Sequence, residues 1–229
     1  MPLGFVLLGV LHFAHFGTTI GLDQWVLINS IRSIANGIGY TGQAATQWPP
    51  LYSLLAGSLT PFLRARTAGV IVSLISAAGV LCTLPLISRK LFNRYGPGLL
   101  VQTLLGFNPW YFKQASAVET HMLDAFLFLV SVFYALDYLK NRPRQTLPLK
   151  FILVSALACL TRYTSLVLVV AMGSILIWSD YQSRKETVSN WITANFLGTY
   201  LLIFSPWLLY NYLLNNSLPG SGYWAVIGW

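Results

Sequence analysis

Asp23 stands immediately after the first apolar run of the chain and opens the one long segment, Leu22 to Arg66, that carries polar residues between stretches too apolar for water. A carboxylate at the mouth of a membrane span is costly unless something solvates it or uses it. Ionised, near an acceptor hydroxyl and shielded from bulk water, it would have the placement a general base needs. The same acid could instead cap the helix that follows or offset that helix's dipole. Arg162 lies between two apolar arms, in Leu160-Thr161-Arg162-Tyr163. It either snorkels to the interface as a topological anchor or grips an anion, and its planar fork suits a phosphate. Lys113, Glu119 and His121 crowd a single turn, with Asp124 following. At that spacing His121 and Asp124 share a helix face, and Glu119 is not expected to point with them. A divalent cation, magnesium or manganese, held between these carboxylates and a phosphate is one reading; simple interfacial charge is the other. His12 and His15 also share a face, and with no acid or cysteine nearby they read as an interhelical hydrogen-bonding pair ahead of a metal pair.

These groups need elements to hold them, and the composition says what kind. Hydrophobic residues make up 55% of the chain and charged residues 9%, with the charges gathered between long apolar runs. That pattern describes an all-α polytopic membrane protein. The net charge of +8 comes from Lys and Arg clusters at the ends of apolar runs, which favours membrane orientation and sets nucleic acid aside as a partner. The runs are Met1–Ile20, Ala68–Ile87, Gly98–Phe112, Thr120–Leu139, Phe151–Leu160, Ser165–Trp178 and Trp191–Leu214. A helix needs about 20 residues to cross the hydrocarbon core, so the first, second, fourth and last are comfortable spans and the others are short.

About seven transmembrane or partly spanning helices, with the N-terminus inside, would put Arg89-Lys90-Arg94, Lys140-Arg142-Arg144-Lys150 and Arg184-Lys185 on the cytoplasmic side. The arrangement requires Phe151–Trp178 to break into a hairpin around Arg162, whose first arm is too short to cross fully. Met1–Ile20 has no basic residue before it and no small-residue cleavage pattern, so it is expected to be a retained span. Residues 1–20, 22–66 and 68–214 then divide as first span, outer loop and helical bundle of one domain.

Within the outer loop, Leu27, Ile31, Ile34 and Ile38 recur at helical spacing, opposite Asn29, Arg32, Ser33 and Asn36. The spacing predicts an amphipathic helix lying on the outer membrane face, stopped by Gly37 and Gly39. Pro49-Pro50 forbids helix at that point and fixes an extended turn. Cys82 and Cys159 fall inside apolar runs and read as small packing residues.

The order of these features resembles the C-type membrane glycosyltransferases, such as the dolichyl-phosphate-mannose protein mannosyltransferases and the aminoarabinose transferases of lipid A. The likeness rests on an acid just after the first span, the helix Ile31-Arg32-Ser33-Ile34-Ala35-Asn36, then Pro49-Pro50-Leu51-Tyr52, Ala65-Arg66, Leu160-Thr161-Arg162-Tyr163, and Ser205-Pro206-Trp207 with Asn211. Each motif is loose and their order carries the resemblance. It implies a sugar donor on a polyprenyl-phosphate carrier, taken up from membrane lipid on the non-cytoplasmic face, and an acceptor hydroxyl on a lipid, glycan or protein. It implies Asp23 as the catalytic acid. Arg162 and Lys113 are the candidates for the donor phosphate, and Glu119, His121, Asp124 and Tyr52 for the acceptor or a cation. Two departures stand out: Gln24 where the family often has a second acid, and Trp48 where it often has a lysine. The family's enzymes are usually longer, which leaves open that this chain is the N-terminal part of one. A non-catalytic membrane subunit and a transporter are the rival readings. The transporter fits less well, since the chain shows no repeat symmetry.

Overall fold

The computed structural model describes residues 4, 21–40, 48–141, 148–184 and 186–215. Within them the chain forms helices in the order α1 (Leu22–Ala35), α2 (Leu51–Ser58), α3 (Ala65–Phe92), α4 (Gly96–Gly106), α5 (Pro109–Ala115), α6 (His121–Asn141), α7 (Leu149–Cys159), α8 (Ser165–Arg184) and α9 (Glu186–Asn215). The run Met1–Ile20, including His12 and His15, lies outside the described residues apart from Gly4.

Two of these helices, α3 and α6, are long and apolar enough to cross a membrane, at 28 and 21 residues. They pack on each other more extensively than any other pair, and α6 then packs on α7. Against the expected count of about seven crossings, two helices among the described residues meet this test, with α7 and the first part of α8 as shorter apolar helices. The run Gly98–Phe112 is not one element. Asn108 accepts hydrogen bonds from the backbone N–H groups of Trp110 (2.9 Å) and Tyr111 (3.4 Å) and starts a new helix at Pro109. A strong N-cap followed by a proline with no N–H to give is a stop and restart, whatever the hydropathy of the run.

Helix α1 appears where its spacing predicts, but its apolar stripe faces protein. Leu27 and Ile31 are buried and Ile34 packs partly against the same core, which contains Tyr52 and Ala56 of α2 and Ala68 of α3. Burying each such side chain contributes roughly 1.5–3 kcal/mol, so the stripe serves docking to the bundle. Ile38 falls beyond the helix end and is exposed. The helix stops because Gly37 and Gly39 take φ of 73° and 92°, a region glycine enters at no steric cost. The paired prolines directly precede α2, but Pro50 is its N-cap with αR dihedrals (φ −83°, ψ −13°) in place of the extended turn expected there; the Leu51 N–H donates to the Leu160 carbonyl at 3.0 Å, tying this motif to the break between α7 and α8.

That break falls at residues 160–164, and Arg162 sits in it. Two apolar cores flank it. One joins α1, α2, the first half of α3 and the start of α6; the other joins the second half of α6 to α7, α8 and α9 through Tyr138, Phe151, Ile152 and Val169. Cys159 is buried in the second core, whereas Cys82 is exposed on α3 and packs little.

At about 1.5 Å per residue, α3 separates its ends by about 42 Å. Its far end carries Arg89, over the Tyr95 ring, and Lys90, paired with Asp137 near the end of α6. Lys140 donates to the Asn93 side chain there at 2.9 Å.

Candidate functional site

The near ends of α3 and α6 meet α1 and the Arg162 turn, and there the polar side chains converge. Gln24 lies on the same stripe of α1 as Leu27 and Ile31, so the packing that buries those residues also buries its amide. Its Nε2 donates to Glu119 Oε1 at 3.3 Å. The other carboxylate oxygen, Oε2, faces His121 Nε2 at 3.6 Å. Arg162 Nη1 contacts His121 Nδ1 and is 3.2 Å from Nε2. Three segments remote in sequence thus form one chain of contacts.

Asp23 is exposed in the first turn of α1. The N-cap of that helix is Gly21 and no side chain caps it, so the capping role is not what holds the acid here. Asp23 lies within electrostatic reach of the His121 imidazole, as do Glu119 and Arg162. His121 and Asp124 do share a face, turned toward the α7–α8 break: Asp124 Oδ1 accepts from the Ser165 hydroxyl and feels the Arg162 charge. Glu119 joins His121 after all, because it sits in the turn before α6, where helical spacing does not govern its direction.

Tyr52 is fully buried behind the cluster rather than open to an acceptor. Its hydroxyl donates to the Gly69 carbonyl at 2.8 Å and pairs with Ser73 Oγ at 3.0 Å, and Ser73 Oγ donates to the Glu119 carbonyl at 3.3 Å. Burial raises its pKa, so the phenol stays neutral and acts as a structural donor. Gly69 allows the approach: a Cβ there would meet Val118 Cγ1 at 2.7 Å and the Tyr52 hydroxyl at 3.2 Å. Lys113 stands apart from the cluster's contacts, with its ammonium 4.9 Å from the centroid of the Trp110 ring.

On its other side the Arg162 turn borders an apolar cavity of about 410 Å³, lined in part by Tyr40, Pro50, Leu160, Pro206, Trp207 and Tyr210. Trp207 Nε1 donates to the Tyr163 hydroxyl at 3.1 Å, so the residue after Arg162 is fixed to the cavity wall. Burial pushes the Tyr163 phenol up to about 12, only partly offset by that indole N–H, and it remains an acceptor at neutral pH. Tyr40 and Trp207 lie 5.4 Å apart, and Trp207 stacks on Tyr210 at 5.8 Å. The Tyr210 hydroxyl closes the wall by donating to the Tyr40 carbonyl and accepting from its N–H, both at 3.0 Å.

Among the described residues, no three His, Cys, Asp or Glu side chains come together as ligands. Asp124 is turned to Ser165 and Glu119 to Gln24 and His121.

The helical bundle thus has two membrane-length helices and, at one end, a cluster of acid, amide, imidazole and guanidinium near an apolar cavity. The family model of the dolichyl-phosphate-mannose-protein mannosyltransferases matches residues 48–210, and the chain belongs to that family of C-type membrane glycosyltransferases. The match takes in Tyr52, Lys113, Glu119, His121, Asp124 and Arg162, while Asp23 and Gln24 precede it. No curated protein and no solved structure matches the chain.

Three participants escape sequence reasoning. Gln24 registers there only as a departure from the family pattern, although a polar residue in line with Leu27 and Ile31 was a usable signal of a buried hydrogen bond. Ser73 and Ser165 gave none, since their partners lie 46 and 41 residues away.

Proposed function

We propose that this protein transfers a sugar from a polyprenyl-phosphate carrier to an acceptor hydroxyl of a lipid, glycan or protein on the non-cytoplasmic side of a multi-pass membrane domain. The observation that carries the reading is the convergence of the Asp23 helix with Arg162 beside an apolar cavity. The carrier's hydrocarbon enters from the bilayer and its first units occupy the cavity, whose volume is in the usual range for ligand pockets. Its phosphate then lies at the Arg162 turn, within reach of a guanidinium whose fork matches phosphate oxygens.

Asp23 takes the proton of the acceptor hydroxyl. The acceptor oxygen forms its bond to the sugar's anomeric carbon as the bond from that carbon to the phosphate oxygen breaks. Polyprenyl phosphate leaves, and the configuration at carbon inverts. Arg162 stabilises the charge that develops on the departing phosphate, with Lys113 contributing at longer range. Glu119, His121 and Asp124 complete the polar wall on the acceptor side.

The test is transfer from polyprenyl-phosphate mannose to a panel comprising a threonine peptide, an alkyl glycoside and a glycerolipid, with Asp23→Asn as the control. Loss of a positioned general base costs about 10²–10⁴ in rate. We expect that loss with membrane insertion and thermal stability retained. Full activity of the Asn variant would remove Asp23 from the mechanism.

A further inference from the structure

We infer that Gln24, Glu119 and His121 are positioning residues that fix the Arg162 guanidinium relative to the Asp23 helix, and so set the distance between proton acceptor and phosphate grip. The inference rests on the reading of Asp23 and Arg162 given above.

The contacts run without a gap from one functional group to the other. Gln24 neighbours Asp23 on α1 and donates to Glu119 Oε1; Glu119 Oε2 faces His121 Nε2; His121 meets Arg162 through Nδ1. A carboxylate beside Nε2 favours the tautomer with its proton there, which leaves the Nδ1 lone pair for the Arg162 N–H. Glu119 thereby makes His121 an acceptor, and an acceptor is what an arginine needs if it is to be held without being neutralised. A carboxylate in direct contact would bind the guanidinium more tightly and compete with the incoming phosphate. The imidazole orients it and leaves its charge available.

Two features indicate that this chain is held at a cost. The Gln24 amide is buried, and its Oε1 has no hydrogen-bond partner among the described residues. Turning the amide over would set Oε1 against the Glu119 carboxylate, so the donor contact is kept and the carbonyl goes unpaired, a loss of about 1–3 kcal/mol. Glu119 is also braced from behind, its carbonyl accepting from Ser73, which Tyr52 holds in turn. This fixes the backbone from which its carboxylate reaches Gln24 and His121.

The test is a pair of double-mutant cycles on kcat/KM for polyprenyl-phosphate mannose, using Gln24→Leu and His121→Phe, each in the parent and in an Arg162→Ala background. We expect each single variant to lose about tenfold or more, mainly through a higher donor KM, and to lose less than twofold further once Arg162 is absent, since residues acting through one partner are non-additive. Replacing His121 by Asn, which can still accept from Arg162, should recover part of the loss, while Phe recovers none. Melting temperatures check folding. Full additivity with Arg162→Ala would show that these side chains act elsewhere and would overturn the inference while leaving the transferase reading intact. Absence of transfer by the parent chain with every acceptor would overturn both.

Discussion

The two ends of the α3–α6 pair carry charge in different ways. At the far end, Lys90 pairs with Asp137 and Lys140 with Asn93, joining only α3 and α6 at positions where the two helices stop, and Arg89 lies over a tyrosine six residues along. At the near end, Gln24, the Glu119–His121 stretch and Arg162 come from three separate segments and include a buried amide. The first arrangement forms wherever basic residues flank a span and needs little beyond the sequence. The second exists only because α1 docks and because the α7–α8 break places Arg162 opposite the start of α6. Polar groups converging from distant segments are what a chemical site requires, and scattered cations at helix ends are what orientation in a membrane requires.

Substitutions can break this contrast, beginning at the near end. Arg162→Ala should reduce transfer by about 10²–10³, as removal of one electrostatic stabiliser of a developing anion typically does. Initial rates at saturating acceptor would measure it, and an effect under fivefold would place Arg162 with the orienting cations instead. Gly69→Ala pushes a methyl into Val118 and the Tyr52 hydroxyl, in the strut behind Glu119. Overpacking of this kind costs about 1–3 kcal/mol, so the melting temperature should fall and transfer with it. Tyr52→Phe removes the hydroxyl that joins Gly69 to Ser73. A loss of about 1 kcal/mol is expected in denaturant titrations, with donor KM moving more than acceptor KM if Glu119 shifts.

The smallest effect belongs to the far end. Lys90 and Asp137 are part exposed, at 25% and 38% of their side-chain surface, and such pairs contribute about 0–1 kcal/mol. Lys90→Met should leave the transfer rate within about twofold, because the pair's contribution is small and lies at the opposite end of α3. Its expected effect is on the fraction inserted in the correct orientation, read by protease protection.

The sequence by itself determined the elements. Length and hydropathy mark α3 and α6, Gly37 and Gly39 end α1, the paired prolines precede α2, and the Arg162 turn separates α7 from α8, because each depends on residues within a few positions of one another. It misjudged one run, Gly98–Phe112, where hydropathy outweighed the local stop at Asn108-Pro109. It also marked most of the polar residues that matter, since an ionisable group between apolar runs is conspicuous. Only the tertiary structure decided which of them meet. It turned the α1 stripe inward, carried Gln24 to Glu119 across 95 residues, seated Tyr52 behind the site instead of in it, and left Lys113 over Trp110. The physical reason is range: helix propensity and capping are settled by near neighbours, whereas the partner of a buried polar group is chosen by whichever distant surface covers it.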